Sequence, residues 1–279
     1  MTDSSLLPLQ TPVAIDMPPF SIEPCERMLF VGSCFADEMG QRFHADRFRT
    51  TVNPYGVMYN PASILHTVER YATEVSSAKA PHTAVFTLGT NHVYVLNATG
   101  QIVDNCHKRP HHLFTERQLT VDQCADYLEQ AIEVLRRVRS DVRVVITVSP
   151  IRYAKYGFHG SALSKATLLL AADRVVQQAK GIVVYFPAYE IVNDQLRDYR
   201  FYREDMLHPT AQAVDYIWHR FANAYFSAAT HEFLKQWHPI KAALAHRPFN
   251  ADSADYKAFL AKAKADEMEL MKKYGVEEE

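Results

Sequence analysis

The chain has 279 residues, of which 48% are hydrophobic, and this is enough for one large domain with a sizeable core. Its formal net charge is −2 and its basic residues are scattered among acidic ones, so no basic surface for a nucleic-acid partner is expected. No stretch approaches the roughly 20 consecutive apolar residues that a membrane-spanning helix needs.

The N-terminus and the cysteines both favour a cytoplasmic location. Residues 1–24 are predicted to form an irregular arm, because Met1–Phe20 has neither a basic start nor the continuous apolar segment of a signal peptide. The four cysteines follow no C-x-x-C spacing, which argues against a zinc ribbon or a disulfide scaffold. The four are Cys25, Cys34, Cys106 and Cys124, and in a reducing compartment Cys34 would stay a free thiol.

Short apolar runs alternate with amphipathic segments along the chain. Five runs rich in β-branched and aromatic residues predict strands at Met28–Val31, Thr50–Val52, Thr83–Leu88, Val142–Val148 and Ile182–Phe186. A hairpin-like insertion is predicted at His92–Asp104, with its turn at residues 97–100. Apolar periodicity predicts helices through residues 128–138, 164–180 and 211–227. This alternation favours a parallel sheet with helices on both faces.

Chemically reactive residues follow several of the predicted strands. In an open parallel sheet the reactive crevice lies beyond the carboxyl ends of the strands, so residues that follow different strands can meet there. A nucleophile, a base and a group that orients the base are all available at such positions. The four motifs are Gly32-Ser33-Cys34 after the first strand, Asn53-Pro54-Tyr55-Gly56 after the second, Gly89-Thr90-Asn91 after the third and Asp205–His208 after the fifth.

These motifs together resemble a known family. The stretch Gly32-Ser33-Cys34-Phe35-Ala36 is similar to the one that names the GSCFA family, within the SGNH/GDSL hydrolase superfamily, and the resemblance spans most of residues 26–225. It implies a flavodoxin-like three-layer α/β/α sandwich of the SGNH type, with a parallel five-stranded sheet, at residues 25–229. Residues 230–279 are predicted to add a C-terminal helical extension around a loop at Pro248–Ser253. No cofactor is implied.

Cys34 and Ser33 are the two candidate nucleophiles. The superfamily's first block is Gly-Asp-Ser, and an ungapped match places Cys34 at the nucleophile position and Ser33 in place of the aspartate. Physical chemistry also favours Cys34, because the first turn of a helix and a neighbouring imidazole stabilise a thiolate. Ser33 remains the alternative, with capping of the backbone as its other role. The last block, Asp-x-x-His, is matched by Asp205 and His208, so His208 is the expected base and Asp205 orients it.

The resemblance also suggests which groups hold an oxyanion and which contact substrate. The backbone N–H of Gly56 and the side-chain amide of Asn91 match the superfamily's second and third blocks and are the expected oxyanion donors, beside the N–H of Cys34. Three residues near the motifs are candidate substrate contacts: His107, Arg152 and Tyr55. Tyr59 and Tyr153 also adjoin motifs and are candidates to line a pocket. The adjacent histidines at 111–112 are expected to belong to a solvated loop or to the rim of a substrate site rather than to a metal site.

The sequence therefore predicts an acyl hydrolase or O-acyltransferase that uses a Cys (or Ser)-His-Asp triad on ester or thioester substrates. The resemblance implies a small-molecule or carbohydrate ester, or an acyl donor, as the partner. Two other functions are open. One is a non-catalytic SGNH-fold binding module in carbohydrate or envelope assembly, and the other is a thiol-based redox sensor at Cys34.

Overall fold

The computed structural model describes residues 11–179 and 181–275. Lys180, at the end of one predicted helix, residues 1–10 of the predicted arm and residues 276–279 lie outside this description. The strands are β1 (Arg27–Gly32), β2 (Arg49–Val52), β3 (Thr83–Leu88), β4 (His92–Leu96), β5 (Gln101–Val103), β6 (Phe114–Gln118), β7 (Arg143–Val148) and β8 (Val183–Tyr185). The helices are α1 (Cys34–Ala45), α2 (Pro61–Glu74), α3 (Val121–Val138), α4 (Gly157–Gln178), α5 (Ala188–Glu190), α6 (Ala211–Tyr225), α7 (Ala228–Leu244) and α8 (Ala254–Lys273).

The main sheet has five strands in the order β2-β1-β3-β7-β8, and every neighbouring pair is parallel. This is the flavodoxin-like order, in which the chain first moves outward from β1 to β2 and then returns past β1 to build the other half. The strand order reverses between β1 and β3, so the crevice that opens there is the expected place for a site. The predicted fold class is confirmed.

Each face of the sheet has its own hydrophobic core. Successive side chains of a strand point to opposite faces, and β1 shows this clearly because Leu29 and Val31 pack with α2, α3 and α4, whereas Met28 and Phe30 pack with α1 and α6. All four of these side chains are at most 1% exposed. Helices cover both faces, and the result is a three-layer sandwich.

The C-terminal helices α7 and α8 are present as predicted, and they extend the core on the α1 and α6 face. Phe233 and Trp237 of α7 and Leu270 of α8 are buried in this core. The indole N–H of Trp237 also donates to the carbonyl of Ala45 at the end of α1, at 3.1 Å. Among the described helices none is both long and apolar enough to cross a membrane.

The insertion after β3 is a three-stranded antiparallel sheet with the order β5-β4-β6. The predicted hairpin corresponds to β4 and β5, whereas the third strand, β6, was not expected from the sequence. Four of its five side chains are exposed, so the segment lacks the alternation of apolar and polar residues by which a half-buried strand is recognised. This small sheet stands beside the carboxyl end of β3, next to the crevice.

Candidate active site

A tight turn at the end of β1 presents the Gly32-Ser33-Cys34 motif. Gly32 has φ +145, and a Cβ atom there would lie 2.2 Å from the carbonyl oxygen of Thr87 on β3, so only glycine fits. Ser33 is the N-cap of α1: its Oγ accepts from the N–H of Phe35 at 3.3 Å and lies 3.1 Å from Thr87 Oγ1. The Ser33 hydroxyl is therefore buried and engaged in holding the turn.

Cys34 is the first residue of α1 and lines a cavity of about 250 Å³. Its N–H belongs to the first turn and has no acceptor within the helix, so it points its partial positive charge out of the helix end. The loops that follow all five strands of the main sheet contribute to this cavity. Its lining residues are Ser33, Cys34, Tyr59, Gly89, Ser149, Ile151, Arg152, Tyr153, Ala154, Lys155, Leu207 and His208.

The other buried thiols have a different environment. Cys25 and Cys124 are at most 1% exposed, and burial raises the pKa of Cys25 to about 11 and that of Cys124 to about 12. Both stay protonated thiols at neutral pH and pack as small apolar groups. Cys34 is only partly buried and borders the cavity. Cys34 is thus better placed for chemistry than either of these two residues.

Asp205 and His208 form a close pair in the loop before α6. Asp205 Oδ2 lies 2.6 Å from His208 Nδ1, and Asp205 Oδ1 accepts from the main-chain N–H groups of Leu207 at 2.8 Å and His208 at 3.0 Å. These N–H bonds, first from His208 and then from Leu207, together with the imidazole, lower the pKa of Asp205 to about 2. The carboxylate therefore holds Nδ1, and Nε2 is the nitrogen that remains for proton transfer. His208 shares the cavity with Cys34.

Two arginines fasten the Asp205–His208 loop to the rest of the site. The main-chain N–H of Arg152 donates to Leu207 O at 3.0 Å, and its guanidinium donates to Met206 O at 3.1 Å. Arg203 donates to Pro209 O at 2.9 Å and forms an ion pair with Glu38, one turn after Cys34 on α1. The loop that holds the imidazole is thus tied directly to the helix that holds the thiol. Arg203 and Glu38 were not expected from the sequence, because no local pattern marks a pair 165 residues apart.

The two expected oxyanion donors do not face the cavity. The N–H of Gly56 donates to Asn53 O at 2.9 Å within a turn, and the amide nitrogen of Asn91 donates to Leu119 O at 2.8 Å. Asn91 is 4% exposed, and neither residue is among those that line the cavity. The Gly56 N–H and one N–H of the Asn91 amide thus donate to loop carbonyls, and the oxyanion role expected of both residues stays a prediction.

Of the expected substrate contacts, Arg152 lines the cavity, but Tyr55 and His107 do not. The Tyr55 hydroxyl donates to Glu74 at 2.5 Å and its ring lies under the guanidinium of Arg70, so it packs on α2 instead. His107 is exposed in the connection between β5 and β6, with φ +48. Adjacency to a motif in sequence thus does not determine which way a loop side chain points, and substrate contact by Tyr55 or His107 stays a prediction.

Lys165 on α4 is a further residue that the sequence did not reveal. It is 2% exposed, and its ammonium group donates to Gly89 O at 2.8 Å and to Ser149 O at 2.7 Å. Both acceptors follow strands of the main sheet and line the cavity, so Lys165 joins the ends of β3 and β7. Burial lowers the pKa of Lys165 to about 7, because the charged form is poorly solvated there.

Aromatic rings form a continuous row from the cavity to the insertion. Tyr59 and Tyr153 have ring centroids 6.1 Å apart, Tyr153 stacks on Tyr156 at 5.5 Å, and Tyr156 stacks on His92 at 3.6 Å. Glu116 on β6 accepts from Lys155 at 3.0 Å and from the Tyr156 hydroxyl, which ties the row to the small sheet. The insertion thereby supports one side of the cavity.

The chain belongs to the GSCFA family. Residues 27–83 and 76–221 match the GSCFA family, and residues 237–279 match the description "GSCFA domain protein, C-terminal domain". The family assignment made from the Gly32–Ala36 motif is thus confirmed. No protein of curated function matches the chain.

Several solved structures are similar in fold at low identity. One is a mutant acetyl esterase with an acetate ion, at 13% identity and a TM-score of 0.46, over 75% of this chain and 98% of that one. Another is a carbohydrate esterase family 3 protein from Talaromyces cellulolyticus, at 13% identity and a TM-score of 0.42, over 75% of this chain and 98% of that one. A third, an alpha/beta hydrolase from the metagenome of Lake Arreo, has 12% identity and a TM-score of 0.42, over 73% of this chain and 96% of that one.

Proposed function

We propose that this protein is an SGNH-type acyl hydrolase or acyltransferase that acts on ester or thioester substrates through Cys34, His208 and Asp205. The observation that supports this most is the 2.6 Å pair between Asp205 and His208, set in the same cavity as a thiol at a helix N-terminus. A base with one nitrogen fixed by a carboxylate, next to a nucleophile, is the arrangement that covalent acyl transfer requires.

In the first half of the reaction, the sulfur of Cys34 bonds to the acyl carbon and its proton passes to His208 Nε2. The carbonyl π electrons move to oxygen, and this tetrahedral oxyanion is stabilised by nearby donors such as the N–H of Cys34. When the oxyanion collapses, the leaving group departs with the proton that His208 returns, and a thioester on Cys34 remains. Asp205 keeps the imidazole oriented and stabilises its charge while it holds that proton.

In the second half, the oxygen of an acceptor bonds to the acyl carbon of the thioester while His208 removes the proton of that acceptor. The carbon–sulfur bond then breaks, and Cys34 leaves as a thiol with the proton that His208 returns. Water as the acceptor gives hydrolysis, and an alcohol gives acyl transfer. A thioester transfers readily to an alcohol, so both outcomes are part of the proposal. We further propose an O-acylated carbohydrate as the substrate class, since the Tyr59 and Tyr153 rings line the cavity and aromatic faces suit a substrate with an apolar ring surface.

A panel of p-nitrophenyl esters and acyl-CoAs, with and without sugar acceptors, tests this function. It is run on the wild type, on Cys34→Ala and on Ser33→Ala. We expect turnover in the wild type and in Ser33→Ala, and none above background in Cys34→Ala. Mass spectrometry of the intact protein after brief mixing with substrate should show the acyl group on Cys34. Turnover that depends on Ser33 but not on Cys34 would reverse the choice of nucleophile.

A second candidate function is a non-catalytic SGNH-fold binding module in carbohydrate or envelope assembly. The hydrogen bonds that occupy Gly56 N–H and the Asn91 amide support it, because a binding module has no need of oxyanion donors. The same panel distinguishes the two functions. A binding module would show no Cys34-dependent turnover with any ester, while isothermal titration would still detect saccharide binding that Tyr153→Ala weakens.

A further inference from the structure

Tyr59 places a phenolic hydroxyl beside the candidate nucleophile. Its oxygen lies 3.9 Å from Cys34 Sγ, and the residue belongs to the loop between β2 and α2. The main-chain carbonyl of Tyr59 accepts from the N–H groups of both Gly89, at 2.9 Å, and Thr90, at 2.8 Å. A Cβ at Gly89 would come within 3.0 Å of that carbonyl, so the glycine permits the close approach. These hydrogen bonds therefore fix Tyr59 against the end of β3.

The hydroxyl of Tyr59 is a side-chain donor of the cavity that lies next to Cys34. Arg152 and Lys155 also line the cavity, but Arg152 donates to Met206 O and Lys155 donates to Glu116. The Gly56 N–H and the Asn91 amide donate to Asn53 and Leu119, away from the cavity. We propose that the Tyr59 hydroxyl is the side-chain oxyanion donor of this site. This inference rests on the proposed acyl chemistry, and it assigns to the loop after β2 a different donor from the backbone N–H expected there.

Geometry and protonation both suit this role. A donor must lie roughly 2.7–3.1 Å from the oxyanion. The oxyanion sits on the carbon that is bonded to Cys34 Sγ, and the Tyr59 hydroxyl lies 3.9 Å from Sγ, so the hydroxyl can reach the oxyanion. Burial, and then the neighbouring Cys34, raise the pKa of Tyr59 to about 12, so the hydroxyl keeps its proton at neutral pH. During attack the carbonyl electrons pass to oxygen, Tyr59 and the Cys34 N–H donate to that oxygen, and both hydrogen bonds weaken when the carbonyl re-forms. No proton leaves Tyr59.

Tyr59→Phe tests the inference, because phenylalanine keeps the ring contact with Tyr153 and removes only the hydroxyl. Tyr55→Phe is the matched control: it removes a hydroxyl from the same loop, but one that bonds Glu74 outside the cavity. We expect Tyr59→Phe to lower kcat by about 10²- to 10³-fold with KM within about threefold of the wild type. Tyr55→Phe should leave both constants unchanged. Melting temperatures of the two variants check that folding is intact.

Alkylation by iodoacetamide separates an effect on the oxyanion from an effect on the sulfur. The thiolate displaces iodide from a saturated carbon and no oxyanion forms, so Tyr59→Phe should alkylate at Cys34 within about twofold of the wild-type rate. A kcat within about threefold of the wild type, or equal losses in turnover and alkylation, would overturn the inference. An equal loss would mean that Tyr59 acts on the thiolate instead.

Failure of the proposed function would be recognised separately, as an absence of Cys34-dependent turnover in the wild type across the ester and acyl-CoA panel. In that case addition of ¹³C-labelled propanal still tests Tyr59. The thiol of Cys34 adds to the aldehyde carbon and the aldehyde oxygen takes up the proton, which gives a hemithioacetal with its oxygen in the oxyanion position. Weaker adduct formation in Tyr59→Phe than in Tyr55→Phe would support the donor role, and equal formation would contradict it.

Discussion

The two sides of the cavity use their polar groups in different ways. On the nucleophile side, formed by Cys34, Asp205 and His208, the thiol and the imidazole both line the cavity. The Asp205 carboxylate bonds two N–H groups of its own loop and that imidazole. On the donor side, formed by the loops after β2 and β3, the Gly56 N–H donates to Asn53 O and the Asn91 amide donates to Leu119 O. A polar residue type at a strand end therefore does not by itself make a group face the cavity, because hydrogen bonds within the loops can orient that group elsewhere.

The largest expected effect is on the nucleophile side. Cys34→Ala and His208→Ala should each lower kcat by at least about 10³-fold, because each removes one partner of a proton transfer. The double variant should be scarcely slower than either single one, since a base without a nucleophile has nothing to activate. Steady-state kinetics on the best ester checks this. Losses that multiply would mean that the two residues act independently and that the nucleophile side is not one unit.

A smaller loss is expected for Asp205→Asn, which keeps the size of the side chain but removes its charge. A misoriented imidazole still accepts a proton part of the time, so the kcat of Asp205→Asn should be at least about tenfold higher than that of His208→Ala. The pKa of Asp205 is lowered to about 2, hence the carboxylate is already charged at every pH above about 4. Titration of Asp205 itself should therefore contribute no change in the wild-type rate between about pH 5 and 9. A kcat of Asp205→Asn as low as that of His208→Ala would contradict the orienting role.

Lys165→Met tests the support beneath the donor side. The pKa of Lys165 is about 7 in the folded protein, and its ordinary value is 10.5. Between pH 7 and pH 10.5 Lys165 is therefore protonated in the unfolded chain but neutral in the folded one, so the wild type gains stability as the pH rises. The variant lacks this gain. We expect the free energy of unfolding of the wild type, relative to Lys165→Met, to increase by up to about 4 kcal/mol from pH 6.5 to 10. Urea unfolding at several pH values measures it, and a difference that does not vary with pH would show that the hydrogen bonds to Gly89 O and Ser149 O offset the effect of burial on the pKa of Lys165.

Asn91→Ala and Gly56→Ala should affect stability more than turnover. Loss of the Asn91 bond to Leu119 O leaves a buried carbonyl unpaired and should cost about 1–3 kcal/mol in the free energy of unfolding. Gly56 has φ +101, so alanine there is strained by about 1–3 kcal/mol although its surroundings are open. Both variants should keep kcat within about threefold of the wild type when assayed well below their melting temperatures. A loss of 10²-fold in kcat without a loss of stability would restore them as oxyanion donors.

The smallest effect is expected for Ser33→Ala. Removal of the N-cap hydroxyl should lower the free energy of unfolding by about 1 kcal/mol, because the Phe35 N–H loses its acceptor. Turnover should change by less than about tenfold, since Cys34 keeps its place at the end of the helix. Thermal unfolding and the ester assay together measure this. A loss as large as that of Cys34→Ala would make Ser33 part of the nucleophile side.

Sequence alone determined the sheet and the order of the motifs. The strands of a parallel sheet are covered on both faces, so they are short, nearly continuous apolar runs, and all five were predicted to within two residues at each end. The Asp205 and His208 pair was also predicted, because two residues three positions apart can meet within one loop without contacts to distant parts of the chain. In contrast, α2 and the exposed strand β6 were not predicted.

Only the tertiary structure decided which groups are left for a substrate. Asn91 meets Leu119 across 28 residues, Tyr59 meets Cys34 across 25, and Lys165 meets Gly89 across 76. Such pairings depend on how loops from different strands pack together, and no local spacing records them. The residue types at the strand ends thus predicted where the site would be found. Which polar groups bond within the loops and which face the cavity depends on tertiary packing.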